Sequence, residues 1–418
     1  MLLSALKQSN KYWPFFMWLF PLYFFAYQFI LRLWPSLMMQ PIMEQFQIGA
    51  MSFGLMASVY YYGYAGMQIP VALLLDRYDP RRVIFGCALV CGIATAVFND
   101  TDNWYLALIS RFLIGAGSAA GFLSTSKVIS QWFPKESYAR MVGFSFTFGL
   151  LGAIYGGRPV SMLVEYYGQN FVAYGLALTA VMIGLISYFF LRSPMYTQDT
   201  HEVERAIHLK GFKQLLSSPF IWILALANLL MVGALEGFSD VWGVNYLMTV
   251  YHLSRSDAAT LVSFIFVGML FGGPILAFFS KRWGNYLIIS FCGFGMAAAF
   301  LELILIHIEH IYFLGLIFFI VGVLCCYQVL IFAAGNSLVE PSLLGITVAF
   351  LNCVNMLGGS FFHTVIGFVM DMTWTGKLNI SGVRQYTEFS YECALITIPL
   401  AAIIGAMMVM YLRKAERR

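Results

Sequence analysis

The sequence is short of charge. Only 11% of its 418 residues are Asp, Glu, Lys or Arg, against about 25% in a soluble globular domain. Twenty-four basic and 20 acidic side chains cannot cover the water-facing surface of a soluble protein of this length. A formal net charge of +4 is too small for a nucleic-acid binder, whose affinity rests on many phosphate contacts. Loops long enough to hold a catalytic domain are missing, as are a P-loop, a zinc triad and a nucleophile elbow, so an enzyme is not expected and no cofactor is implied. The seven cysteines (Cys87, Cys91, Cys292, Cys325, Cys326, Cys353, Cys393) all fall in or beside apolar runs. None forms a pair in outside loops, which excludes a disulfide scaffold and predicts free thiols.

What is present is hydrophobic: 60% apolar and 17% aromatic residues, with a mean hydropathy of +0.78. The solvent of such a chain is lipid. A membrane helix needs about 20 mostly apolar residues. Reading runs between polar or Gly/Pro breaks gives twelve: 13–37, 50–72, 82–98, 104–130, 139–164, 171–191, 219–247, 257–280, 286–306, 311–335, 343–370 and 390–411. No period-2 alternation accompanies them, so helices are preferred over barrel strands. The first run contains Arg32 and Pro35 and is longer than a signal-peptide core, so it reads as a span and not a cleaved leader.

Basic residues orient the spans. With the N-terminus in the cytoplasm, 17 Lys and Arg fall in inside segments: Lys7, Lys11, Arg77, Arg81, Arg82, Lys135, Arg140, Arg192, Arg205, Lys210, Lys213, Lys281, Arg282, Arg413, Lys414, Arg417 and Arg418. Outside segments hold only Arg255, Lys377 and Arg384. Both termini are then cytoplasmic. The longest inside connection, 192–218, divides the chain into an N-terminal six-helix bundle (1–191) and a C-terminal one (219–418). Its stretch 203–216 reads either as a short helix on the inner membrane surface or as a solvated linker. The halves also echo each other. The second span runs into "GMQIPVALLLDRYDPRRV" and the eighth into "FGGPILAFFSKRWGNYL", each with Gly and Pro before a small residue, Ala72 or Ala277, and a charged pair after it. That is the mark of a parallel duplication.

"ALLLDRYDPRR" (72–82), with Asp76, Arg77, Arg81 and Arg82, resembles the loop signature of the major facilitator superfamily. "RFLIGAGSAAG" (111–121) is similar to that superfamily's fourth-helix motif, and "WFPKESYARMVG" (132–143) to its loop into the fifth helix. Within the superfamily, "FAYQFILRLWPSLM" (25–38), "YYYGYAGMQIPVALLLDRY" (60–78), "DVWGVNYL" (240–247) and "GITVAFLN" (345–352) resemble the phagosomal nutrient transporters of intracellular bacteria, which import amino acids or nucleosides. The resemblance implies an all-α membrane protein of twelve transmembrane helices in two six-helix bundles, set in a bacterial inner membrane. It implies secondary active transport by alternating access, with a small-molecule substrate, protons and the lipid bilayer as partners, no nucleic acid, and a monomer. It also implies that Asp76, Arg77, Arg81 and Arg82 form a cytoplasmic latch. Departures are Ala72 and Asp79 for Gly, Lys281 for Asp, and Arg158 in a normally uncharged Gly-rich stretch.

Charges inside spans are costly and therefore functional candidates. Arg32, Arg111 and Arg158 lie in the outer half of spans one, four and five, which line the central cavity in the superfamily fold. A guanidinium there grips a carboxylate or phosphate by a bidentate fork; snorkelling or a bond to backbone carbonyls is the structural alternative. Lys127, deeper toward the cytoplasm, reads as a snorkelling lysine. Glu236 and Asp240 stand four residues apart in the seventh span and share a helix face. Opposed arginines and acids suit a zwitterion, an external gate or a proton site. Asn352, Asn355 and His363 share a face of the eleventh span, and Gln328 adds a polar tip in the tenth. Arg32, Arg111, Arg158, Glu236, Asp240, Gln328, Asn352 and Asn355 are thus the substrate-binding candidates, and Asp240, Glu236 and His363 the proton-coupling ones. The expected cargo is a small polar metabolite, an amino acid or similar zwitterion, imported with protons. The alternatives are a nucleoside or siderophore importer and an organic-anion or organophosphate exchanger.

Overall fold

The computed structural model describes residues 12–192, 215–306, 310–340 and 343–416. Lys7, Lys11, most of the 192–218 linker with its 203–214 segment, and Arg417 and Arg418 lie outside the described residues. The helices are α1 (Trp13–Leu37), α2 (Met39–Phe46), α3 (Ala50–Arg77), α4 (Pro80–Asp100), α5 (Trp104–Ser118), α6 (Ala120–Trp132), α7 (Lys135–Gly156) and α8 (Arg158–Phe190), then α9 (Pro219–Met231), α10 (Gly243–Val250), α11 (Arg255–Trp283), α12 (Asn285–Leu305), α13 (Ile311–Cys325), α14 (Tyr327–Ser337), α15 (Leu344–Met372), α16 (Glu388–Leu395) and α17 (Thr397–Glu416). Among the described residues there is no sheet; a lone antiparallel bridge joins Leu378 and Arg384.

Local chemistry sets the ends. Asn103 opens α5 by accepting from the amides of Tyr105 and Leu106, and Ser254 opens α11 by accepting from Asp257. Asp79, the departure from the usual loop glycine, caps α4 by accepting from the Arg81 amide, with Pro80 in the first helical position.

Ten helical stretches among the described residues are long and apolar enough to cross a membrane. One of them, Lys135–Phe190, has 56 residues, too many for a single crossing of about 30 Å. It turns at Gly168, whose φ of 81° is a conformation that favours glycine. The 28-residue α3 is another span, made less apolar by its tyrosines, Gln68 and Asp76. The described helices thus supply the twelve crossings expected from hydropathy. All seven cysteines are free.

The chain forms two compact units. One comprises the residues up to Trp34 and those from Val59 through the sixth span; the other comprises Pro35–Ser58 and the residues after the linker. In the first unit α4 packs along α8 and α5. In the second, α11 packs along α13, and α9 and α12 along α17.

Each unit contains the same glycine clasp. In the first, a Cβ added at Gly63 would lie 3.0 Å from the Phe112 carbonyl carbon, and one at Gly115 would lie 2.8 Å from that of Tyr60. In the second, a Cβ at Gly268 would lie 2.9 Å from the Val323 nitrogen, and one at Gly322 would lie 2.8 Å from the Ile265 carbonyl carbon. The α3–α5 and α11–α13 pairs therefore approach backbone to backbone, as small residues permit between membrane helices. Gly63 and Gly268 are separated by 205 positions, as are Ala72 and Ala277, so the sequence echo is also an echo in packing.

Candidate functional site

The first unit gathers its polar groups around two adjacent tyrosines. Tyr60 and Tyr61 are buried, with ring centroids 5.8 Å apart. The Tyr60 hydroxyl donates to Gln28 Oε1 at 2.9 Å. The guanidinium of Arg111 lies 5.1 Å from the Tyr60 ring centre; that of Arg32 lies 5.9 Å from Tyr61 and 4.9 Å from Phe29. Arg32 and Arg111 thus lie beside the two adjacent tyrosines, Tyr61 and Tyr60. Tyr62, next in the run, is 44% exposed, which the helical turn between neighbours requires.

The two arginines differ in use. Arg111 is fully buried and its Nη1 donates to the Leu31 carbonyl at 3.1 Å. In α1 that carbonyl would accept from the amide four residues on, but that residue is Pro35, which has none. Arg111 therefore replaces the helix bond that Pro35 removes. Arg32 is half-buried against aromatic rings. Arg158 is exposed. It opens α8 after Gly157, whose ψ of −105° breaks the helix at α7, so the fifth span is interrupted where the sequence reads as continuous.

In the second unit the seventh span is not a plain helix. Between α9 and α10 the chain passes through a 3-10 turn, Val232–Ala234, and a π-helical turn, Leu235–Trp242. Glu236 and Asp240 both stand on the π turn and both are buried. On the wider π turn, residues four apart still point to nearly the same side, and burial is common to both. π turns recur at functional sites. Here the ring of His363 approaches the Glu236 carbonyl oxygen to 2.7 Å through Nε2, and Ser239 donates to the Leu235 carbonyl. A carbonyl only accepts, so neutral His363 carries its proton on Nε2. Glycines allow the approach: a Cβ at Gly233 or Gly237 would lie 2.7 or 2.8 Å from Phe362. Asn355 is buried with His363 in α15, while Asn352 and Gln328 are half-buried.

Two groups escaped the sequence reading. Asn228, wholly buried, donates through Nδ2 to the Leu351 carbonyl at 3.4 Å, and its own carbonyl accepts from the Tyr327 hydroxyl at 3.2 Å. An asparagine in the otherwise apolar "PFIWILALANLLM" was the available signal. Asp371 is the second; as a carboxylate at the end of a span it gave none.

The loop signature behaves as a local network. Asp76 pairs with Lys127 Nζ at 2.8 Å, so Lys127 reaches out of its span to a carboxylate of the 76–82 loop. Arg81 pairs with Asp79 at 3.3 Å; Arg77 and Arg82 are exposed. Among the described residues no three His, Cys, Asp or Glu side chains are grouped to hold a metal ion.

Known proteins share this architecture. A bacterial homolog to the human lysosomal transporter Spinster superposes with a TM-score of 0.74 at 17% identity, covering 97% of this chain and 96% of that one. The nucleoside transporter NupG, solved as a point mutant, superposes with a TM-score of 0.76 at 13% identity, covering 95% and 99%. At such identities the likeness is one of fold. In sequence, a probable sulfoacetate transporter of Cupriavidus necator is 28% identical over 41% of this chain and 40% of its own length. The inner membrane transport protein RhmT of Escherichia coli K12 is 23% identical over 87% of this chain and 85% of its own. A probable L-galactonate transporter of the same organism is 23% identical over 56% and 55%. The chain spans 40%, 51% and 21% of the first three curated relatives it matches. The family model of the Major Facilitator Superfamily matches residues 19–363. Twelve apolar helices, a repeated helix clasp, the 72–82 loop signature and this match agree: the chain belongs to the Major Facilitator Superfamily and is a multi-pass membrane protein.

Proposed function

We propose that the protein imports a small carboxylate-bearing metabolite, an amino acid or similar zwitterion, together with protons. The observation that carries the substrate class is the half-buried Arg32 guanidinium set against ring faces inside an apolar span. The rings stabilise a cation there, and the planar fork of arginine matches a carboxylate. Arg111, beside Tyr60, is committed to the Leu31 carbonyl and supports the site from behind. Arg158, exposed at a helix break, is a second anion-binding candidate, and Gln328, Asn352 and Asn355 are polar contacts. Glu236 and Asp240, buried on a π turn beside His363, are the proton-coupling groups: a charge in so dry a place is costly, and a proton taken up there removes it.

In this reading the chain lies in a bacterial inner membrane with both termini cytoplasmic and works as a monomer. Six helices before the 192–218 linker rock against six after it, and Asp76, Arg77, Arg81 and Arg82 latch the cytoplasmic side. A second reading, an organic acid without an amino group, is favoured by the relatives named for sulfoacetate and L-galactonate. Uptake into proteoliposomes, measured against amino acids, nucleosides and organic acids with and without an inward proton gradient, separates the two. Amino-acid uptake that rises with the gradient and falls at least tenfold in Arg32→Ala is the expected result. Uptake confined to organic acids selects the second reading, and normal uptake by Arg32→Ala and Asp240→Asn refutes the site assignment.

A further inference from the structure

Helix α3 begins in one unit and ends in the other. Its 28 residues run from Ala50 to Arg77, yet those up to Ser58 pack with the second unit and those from Val59 with the first. Pro35–Ser58 is held within the second unit by a dense polar seam. The centre of the seam is Asp371, in the last turn of α15. One of its carboxylate oxygens accepts from the Ala50 amide at 3.2 Å and the other from the Met51 amide at 3.0 Å. These are first-turn donors of α3, which have no partner inside their own helix. The carboxylate also faces the positive end of the α3 dipole.

The loop after α15 completes the arrangement. The Tyr386 hydroxyl donates to Asp371 Oδ1 and accepts from the Ala50 amide at 2.7 Å. Arg384 Nη1 lies 3.0 Å from the same carboxylate oxygen, and its guanidinium stacks 4.7 Å from the Trp374 ring centre. Burial and the bond to Asp371 hold the Tyr386 phenol above its usual range, so it stays a donor. Gly49 makes room, since a Cβ there would lie 2.8 Å from Asp371 Oδ1. Further along, the Ser58 hydroxyl donates to the Ser360 carbonyl at 2.9 Å and lies 3.1 Å from Thr364 Oγ1. Beyond the helix end, Asn379 donates to Glu44 at 2.6 Å.

We propose that Asp371 is a conformational latch: its carboxylate, backed by Tyr386 and Arg384, fastens the first turns of α3 to α15 and is released in the part of the transport cycle in which 35–58 leaves the second unit. The basic-residue count places this seam at the outside ends of the second and eleventh spans, opposite the loop of residues 76–82. The seam is contiguous with the π turn, because a Cβ at Gly54 would lie 2.8 Å from the His363 carbonyl carbon and His363 contacts Glu236. Opening the latch therefore removes a support of the proposed proton site.

The test needs no substrate. In a cysteine-free background, Ser58→Cys places a thiol under the seam, at a position that is fully buried. Its alkylation by a maleimide is timed in nanodiscs. Asp371→Asn removes the charge and one acceptor, and the labelling rate is expected to rise about tenfold, since hydrogen bonds to an ionised carboxylate are the stronger ones. Arg384→Gln and Tyr386→Phe each remove one support and give smaller increases. A background that keeps only Cys91, buried in the first unit, is expected to label at an unchanged rate in all three variants. If Asp371→Asn does not fold, the other two variants decide. Unchanged labelling of Ser58→Cys, or an equal rise at Cys91, overturns the latch.

Discussion

Replacing Gly115 by alanine tests the repeated clasp directly. The added Cβ would sit 2.8 Å from the Tyr60 carbonyl carbon and 3.0 Å from its Cα. Ordinary contact begins near 3.4 Å and the Tyr60 carbonyl oxygen is nearer still, so α3 and α5 must part by more than about 0.6 Å locally. The obstacle is backbone, which cannot swing aside as a flexible side chain does. Overpacking of this kind costs about 1–3 kcal/mol, and the upper end applies here. For a unit of this size each kcal/mol is worth about 2–4 °C, so the apparent melting temperature should fall by roughly 6–12 °C. The assay is thermal unfolding of the detergent-solubilised protein, followed by loss of the monodisperse peak. Gly143→Ala and Gly175→Ala are the controls: nothing lies within 4 Å of a Cβ at either position, and alanine is the better helix former by about 1 kcal/mol. Both should match or exceed the starting protein. Gly322→Ala, which meets the Ile265 backbone in the second unit, should fall as Gly115→Ala does. A Gly115→Ala protein as stable as the Gly143→Ala control refutes the clasp, and a drop in only one unit refutes its repetition.

Two further outcomes follow from the candidate sites. Arg111→Met leaves the Leu31 carbonyl without its donor and should cost about 1–3 kcal/mol; Pro35→Ala restores a backbone amide to α1 and should recover much of that loss in the double variant, read by the same thermal assay. Deleting Ser239 removes one residue from the π turn, which should return that stretch to α-helical spacing and shorten the separation of Glu236 and Asp240 from four residues to three. The protein should remain folded by circular dichroism while uptake is lost, and a deletion variant that transports normally would dismiss the π turn as a functional feature.

That the chain crosses a membrane twelve times, and which stretches do so, is legible in its residues. Hydropathy sufficed, because a helix in lipid satisfies its backbone bonds internally and needs only length and apolarity. The internal duplication is legible there too, since Ala72 and Ala277 keep their place relative to the glycines that clasp. Arg32, Arg111, Glu236 and Asp240 were conspicuous for the same reason: so few charges enter the spans. How each of them is used depends on what packs against it. Arg111 serves α1 because Pro35 left a carbonyl there without its donor. Lys127 serves Asp76, 51 positions away in the chain. The π turn at Glu236 packs against Phe362 and meets the His363 ring, which no local spacing could reveal. Asp371 was silent in sequence, because a carboxylate at a span's end is ordinary until the first turn of another helix is placed on it. Span and period are local properties of a chain. The partner of a buried charge is set by whatever the fold brings within about 3 Å of it.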